Sequence, residues 1–380
     1  MIAHEPTVLH LPLQGRFTYR DNVFYSDNMQ AWKCVIGDPK PRRVEVPIPS
    51  PDAEEVLLKI LAMGVCHSDC TILDIKEPIL GMGAEFVMGH EGVGEIVRLG
   101  SKVDESRFSV GDRVGVYLNA GCERPECLQC NRGQQQLCKS EGGHYGIGRE
   151  GLAAEYAVIH QRAAFHIPST LDDKLAAVSA DAVLTSYHAV KNTAAVQPDH
   201  TIIIFGLGGL GFNGLQTAIH LKAKRILVVD NRQESVDEAI KLGIPAEDAF
   251  CTVDPTARTV HEFVAEQQIA VDTCIDFVGH PDTIMSAQLA LRPAGTLVMV
   301  GLLSAQVTLV PIMMVCNALN IKGSYNGSRA AYEEALDLMS KGILTPRVQT
   351  GSIEQLPEVL KDLDEGKIKG RMVLLPDWKR

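Results

Sequence analysis

Residues Thr201 to Asp230 read TIIIFGLGGLGFNGLQTAIHLKAKRILVVD, the pattern of a strand, a glycine turn, a helix and a second strand. The apolar run Ile202-Ile203-Ile204-Phe205 stops at Gly206, as expected for a strand buried on both faces of a parallel sheet. Gly206, Gly208 and Gly211 fall at the G-x-G-x-x-G spacing, with Gly209 and Leu210 completing the turn. The first glycine permits a tight turn, the second lets backbone approach a pyrophosphate, and the third lets the helix sit close to the sheet. The helix N-terminus then faces the anion. A glycine-rich turn by itself can be a turn that binds nothing. Here an apolar strand precedes it, the following helix carries Ala218, Ile219 and Leu221, and a strand Ile226 to Val229 ends in Asp230. An acid about 20 positions beyond the glycines is where ribose hydroxyls are bound. Asp230, with Asn231 beside it, argues for NAD, because its charge repels the additional phosphate of NADP. Arg232 could hold that phosphate, which keeps NADP as the alternative.

The chain has 380 residues and a mass of 41.3 kDa, enough for two domains with separate cores. A formal charge of -11 and a pI near 5.6 argue against nucleic acid or an anionic membrane surface as partner. No apolar run reaches the length of about 18 residues that a membrane span needs. The start MIAHEPTVLHLPLQ lacks a basic stretch followed by an apolar core, so no secretory signal is expected and a cytoplasmic enzyme is. Of the ten cysteines, Cys122, Cys127, Cys130 and Cys138 are clustered and Cys66 and Cys70 flank His-Ser-Asp, a distribution that suits metal better than disulfides.

Residues 1–28 show no clear periodicity and receive no function. From Met29 to Asp181 short β-like runs alternate with Pro and Gly: Gln30 to Ile36, Val44 to Val46, Glu55 to Leu61, Gly92 to Val97, Asp112 to Tyr117 and Ala154 to Ile159. These predict a small barrel-like β domain. Residues 182–325 alternate helix and strand and predict a doubly wound parallel sheet, with later helices at Ser235 to Leu242 and Asp282 to Leu291, and strands at Ala270 to Phe277 and Gly295 to Val300. Residues 326–380, with a helix Ala330 to Ser340 and a final strand Arg371 to Leu375, are expected to return to the first domain.

Two short motifs could carry chemistry. Gly64-Val-Cys-His-Ser-Asp69 offers Cys66 as a thiolate, and Gly89-His-Glu-Gly92 offers the imidazole of His90 and the carboxylate of Glu91. Together with GEIVRLGSKV, GDRVGV, the cysteine cluster, GLGGLG followed by VVD, GSYNGSR and the closing GRMVL, they make the chain resemble the zinc-dependent medium-chain alcohol dehydrogenase family from about Met29 to Leu375. The resemblance implies an α/β fold: a Rossmann-type doubly wound parallel sheet plus a GroES-like β-barrel catalytic domain. It implies Cys66, His90 and Asp181 as ligands of a catalytic zinc, with Asp181 where the family often has Cys, and one position left open for water or substrate. Glu91 is implied as a transient ligand and Asp69 as the partner orienting His90. Cys122, Cys127, Cys130 and Cys138 resemble the structural zinc lobe, although the first link has four residues where two are usual.

By the same resemblance Ser68 passes on the alcohol proton, His67 contacts the pyrophosphate, and Gly301, Leu302 and Arg371 contact the cofactor. Thr71 stands where many relatives have the histidine ending the proton relay, and a threonine cannot act as a base near neutral pH. Leu118 and Leu302 resemble pocket-wall residues, which implies an apolar substrate. The expected activity is interconversion of an alcohol and an aldehyde or ketone by hydride transfer to or from NAD(H). The alternatives are reduction of α,β-unsaturated carbonyl compounds or a non-catalytic dinucleotide-binding role. A homodimer or homotetramer is expected, with the apolar strand Gly295 to Leu303 as pairing edge.

Overall fold

The computed structural model describes residues 17–20, 23–79, 82–139, 143–253 and 257–379. Residues 1–16 of the N-terminal extension lie outside the described residues, while the backbones of Phe17–Arg20 and Val23–Ser26 pair as an antiparallel ladder.

The strand Thr201–Phe205 is buried along all five residues and has parallel neighbours on both sides, Arg225–Asp230 and Val271–Asp276. Its side chains alternate: Ile202 and Ile204 join one apolar cluster, Ile203 and Phe205 the cluster on the opposite face. This is why the run reads as continuously apolar. The complete sheet runs Ala249–Cys251, Arg225–Asp230, Thr201–Phe205, Val271–Asp276, Leu291–Met299, Asn320–Gly323. In chain order that is 3-2-1-4-5-6, so the order reverses at Thr201–Phe205, the switch point beyond whose carboxyl ends sheets of this kind bind their ligands. Gly206 has φ +83°, and a Cβ on Gly211 would lie 1.7 Å from Gly206 O, so this glycine allows the helix Gly211–His220 to start against the turn.

The second unit is built on the long strand Glu55–Val65, flanked by Glu91–Leu99, Tyr156–His160 and Arg371–Leu375 in a seven-stranded sheet. A three-stranded sheet of Arg42–Pro47, Asn28–Val35 and Glu85–Val87 packs against it around Trp32, Leu58, Ile60, Phe86 and Ile96. This is the β unit that the short runs between Met29 and Asp181 predict. The final strand returns from the far end of the chain to pair antiparallel with Glu55–Val65 and parallel with Val348–Ser352.

Two features differ from the sequence reading. The stretch from Asp173 is one helical run, in which the π-helical turn Ser179–Val183 joins Asp173–Ala177 to Leu184–His188 and a second π-helical turn, Ala189–Thr193, continues it. The strand within Gly295 to Leu303 is not an edge: Leu291–Met299 lies between Val271–Asp276 and Asn320–Gly323. The edge is Asn320–Gly323, four residues whose polar ends hide the strand pattern. Among the described residues no helix is long and apolar enough to cross a membrane.

Because the Gly206 carbonyl occupies the place of a side chain at Gly211, Gly211→Val should lose about 2 kcal/mol or more of unfolding free energy, read by urea denaturation.

Candidate active site

Four segments converge beside the glycine turn. Cys66 follows the strand Glu55–Val65 and caps the helix His67–Leu73. His90 and Glu91 enter the neighbouring strand, where Glu91 lies opposite Gly64. A Cβ on Gly64 would lie 2.5 Å from the Glu91 carboxyl, so Gly64 makes the room that the carboxylate fills. Asp181 sits in the first π-helical turn, a distortion frequent at functional sites, and Arg371 opens the final strand.

One sulfur, nitrogen or oxygen donor from each of Cys66, His90 and Asp181 lies within 4.8 Å of the others. His90 Nε2 is 3.7 Å from Asp181 Oδ2, while His90 Nδ1 is 3.1 Å from Asp69 Oδ1. Asp69 Oδ2 also accepts the Cys66 backbone N–H at 2.9 Å. One carboxylate therefore orients two members of the set and leaves the His90 Nε2 lone pair facing the cluster. Thr185 Oγ1 donates to Asp181 Oδ1 at 2.9 Å, and Arg371 Nη2 donates to Asp181 Oδ2 at 2.8 Å. Arg371 Nε lies 3.1 Å from Glu91 Oε1. Ser68 Oγ is 3.7 Å from Cys66 Sγ, at the rim of the set.

The electrostatics favour positive charge here. Burial pulls the His90 pKa down, but the charge of Asp69 and hydrogen bonds to Asp181 and Asp69 outweigh it and raise it well above the ordinary histidine value. Burial pushes the Asp181 carboxyl up, yet its bond to His90 and the Arg371 charge hold it below the usual carboxylate range. Burial raises Glu91 to about 7 against the pull of Arg371. A cysteine sulfur and an imidazole, both buried, with a part-buried carboxylate, all oriented from behind, suit zinc and leave a coordination position open.

The four remaining clustered cysteines also converge, with Cys122 Sγ 3.9 Å from Cys130 Sγ and Cys127 Sγ 3.9 Å from Cys138 Sγ. The longer first link is absorbed by Glu123 at φ +50°, and Glu123 pairs with Arg329 and Arg162. Four thiolates leave no position for substrate.

On the nucleotide side, Asp230 is buried. Its Oδ2 accepts the Leu207 N–H at 2.6 Å and its Oδ1 the Arg232 N–H at 2.8 Å. Arg232 Nε lies 3.4 Å from the same carboxylate. Asn231 is exposed at the strand end. His67 is exposed at the start of its helix, and partial desolvation followed by the Arg371 charge lowers its pKa. Gly301 packs directly on the backbone of Val278, Leu302 stands 77% exposed beyond it, and Leu118 is buried.

Several residues at the site escaped the sequence reading. Arg347 Nη2 donates to Leu207 O at 2.9 Å in the glycine turn, with its guanidinium 3.6 Å from the centre of the Phe212 ring. Asn326, at φ +46°, donates from its amide to Ala180 O at 3.0 Å and to Thr185 Oγ1 at 3.4 Å, holding the turn that displays Asp181. Tyr325 meets His144 edge-on at 5.6 Å, and the His144–Gly146 segment packs on Gly89 next to His90. The only sequence signal for any of these is the GSYNGSR motif around Asn326.

A doubly wound sheet with a glycine turn at its switch point and a Cys/His/Asp donor set alongside defines a metal-dependent pyridine-nucleotide oxidoreductase. Comparison with known proteins narrows the class. Residues 52–169 match the family described as alcohol dehydrogenase GroES-like domain, and residues 209–341 match zinc-binding dehydrogenase. The chain is similar to the alcohol dehydrogenase of Geobacillus stearothermophilus, 33% identical over 87% of this chain and 94% of that one. Acetophenone reductase from Geotrichum candidum NBRC 4597, solved in complex with NAD, aligns with a TM-score of 0.82 at 30% identity, covering 92% of this chain and 98% of that one. The alcohol dehydrogenase of the hyperthermophilic archaeon Aeropyrum pernix aligns with a TM-score of 0.80 at 26% identity, covering 91% and 100%. The chain belongs to the zinc-type medium-chain dehydrogenase/reductase family. It is an NAD(P)-dependent oxidoreductase of the alcohol dehydrogenase type, with zinc as its metal.

The role of Asn326 is open to a direct check. Asn326→Gly keeps the left-handed backbone but removes the amide that holds Ala180 O, and should cost about 1–2 kcal/mol in denaturant unfolding. Asn326→Ala adds backbone strain to that loss and should cost about 1 kcal/mol more.

Proposed function

We propose that this chain interconverts an alcohol and its aldehyde or ketone by hydride transfer to or from NAD(H), with Cys66, His90 and Asp181 holding the zinc of the reaction. The observation that carries this reading is the convergence of those three donors within 4.8 Å, next to the glycine turn capped by Asp230. When bound, zinc polarises the alcohol oxygen and lowers its pKa.

The protein's own groups do the rest. Asp69 fixes the His90 ring and the Cys66 backbone, and Thr185 fixes Asp181. Glu91, directly behind His90, is the reserve donor. Ser68 takes the alcohol proton at Oγ. Thr71 Oγ1 donates to His67 O at 3.1 Å, so its hydroxyl is bound to its own helix and the proton leaves Ser68 through water. Asp230 receives the adenosine ribose, beside Asn231. Arg232 is turned onto Asp230, an arrangement that favours NAD over NADP. His67, Gly301, Leu302 and Arg371 line the rest of the cofactor path, and buried Leu118 supports an apolar substrate wall. Cys122, Cys127, Cys130 and Cys138 hold a structural zinc.

We assign residues 29–181 and 326–380 to the catalytic unit and 182–325 to the nucleotide-binding unit, in a cytoplasmic homodimer or homotetramer. Support for assembly comes from the exposed apolar side chains Leu302, Leu303, Leu309, Ile312 and Val315, which precede the edge strand Asn320–Gly323.

The test follows nicotinamide absorbance with NAD or NADP and a panel of primary, secondary and aromatic alcohols, with and without a zinc chelator. Chelator-sensitive reduction of NAD is expected, and silence across the panel by zinc-loaded protein overturns the reading. Asp181→Ala should lose one zinc per chain and at least about 100-fold in kcat while still binding NADH. Full activity in that variant removes Asp181 from the ligand set.

A further inference from the structure

Arg371 belongs to two sites at once. Its side chain is 4% exposed, and its Nη2 donates to Asp181 Oδ2 at 2.8 Å. That oxygen also faces His90 Nε2 at 3.7 Å, so the atom that Asp181 offers to the donor set is the atom that Arg371 holds. A charge-assisted hydrogen bond to a carboxylate oxygen withdraws charge from it and weakens it as a metal donor. On its other side Arg371 reaches the glycine turn: a Cβ on Gly209 would lie 3.6 Å from Arg371 Nε and 2.9 Å from Gly370 O. Arg371 Nε is buried and, although 3.1 Å from Glu91 Oε1, makes no aligned hydrogen bond among the described residues. A buried guanidinium with an unused donor beside a pyrophosphate-binding turn is drawn toward the anion when the dinucleotide binds.

We propose that Arg371 is a positioning residue shared between Asp181 and the dinucleotide, so that binding of NAD(H) and retention of zinc at Cys66, His90 and Asp181 strengthen each other. The inference rests on the ligand assignment under Proposed function. As the pyrophosphate takes up part of the guanidinium's hydrogen bonding, Asp181 Oδ2 regains charge and becomes a better donor. Linkage makes the effect reciprocal: whatever factor NADH adds to zinc affinity, zinc adds to NADH affinity.

The experiment measures release of zinc from the fully loaded protein to a chromogenic chelator, with and without saturating NADH. The site is identified by the release phase that Asp181→Ala lacks. Wild type should release this zinc about 10-fold more slowly with NADH, and NADH titrated by fluorescence should bind about 10-fold more tightly to the loaded site than to protein stripped of that zinc. In Arg371→Lys, which keeps the charge but loses the planar fork, and in Asp181→Cys, which removes the carboxylate oxygen that Arg371 Nη2 holds and leaves Glu91 in place, both factors should fall to about 2-fold or less. If Arg371→Lys does not fold, Asp181→Cys decides alone. No NADH effect in wild type overturns the proposal, as does equal slowing in the variants, which is the signature of the cofactor merely covering the site. A wild type with no release phase missing from Asp181→Ala overturns the ligand assignment itself.

Discussion

The buried ion network Glu91–Arg371–Asp181 is the constraint on which this structure turns. Each charge taken out of water costs several kcal/mol, and removing one partner of such a set costs about 3–5 kcal/mol because the remaining charge is left uncompensated. The network therefore requires three segments to arrive together: the strand beginning at Glu91, the π-helical turn with Asp181, and the strand beginning at Arg371. It also explains why the chain crosses back from the nucleotide-binding sheet. Only a strand paired with Glu55–Val65 at Met372, Val373 and Leu374 delivers Arg371 to this point.

The helical run from Asp173 to Thr193 connects the two units without a flexible linker. Ser186 Oγ donates to Leu210 O at 2.7 Å, and Asn213 Nδ2 donates to Ala182 O at 3.2 Å, so the run is stitched to the glycine turn and to the helix after it. Asp181 is thereby held against elements of both units.

The parts of this architecture legible in the sequence are those in which the chemistry demands particular residues at short spacing. The glycine turn with its buried strand and terminal Asp230 is one; Cys66 with Asp69, His90 with Glu91, and the clustered cysteines are others. Apart from Asp69, the partners that fix these groups were not legible. Arg371 meets Asp181 across 190 positions, and Asn326 meets Ala180 across 146, through strand register and helix packing that no local pattern encodes. Arg347 reaches the glycine turn only because Val348–Ser352 pairs with the final strand. The misplaced sheet edge has the same origin: Asn320–Gly323 is strand because Leu291–Met299 offers a free ladder, and its own composition carries no such signal.

The cysteine lobe fits the same logic. Its longer first link costs a left-handed Glu123, a conformation unfavourable for a residue with a Cβ. The link places the Glu123 carboxylate on Arg329, the first residue of the helix Arg329–Ser340. Asn326, three positions earlier, holds the turn of Asp181, and Tyr332 within that helix exchanges a 2.8 Å hydrogen bond with Ser179 at the start of the same turn. The lobe is thus fastened to the segment that grips Asp181 from behind. By fastening that segment the lobe stiffens the backing of Asp181.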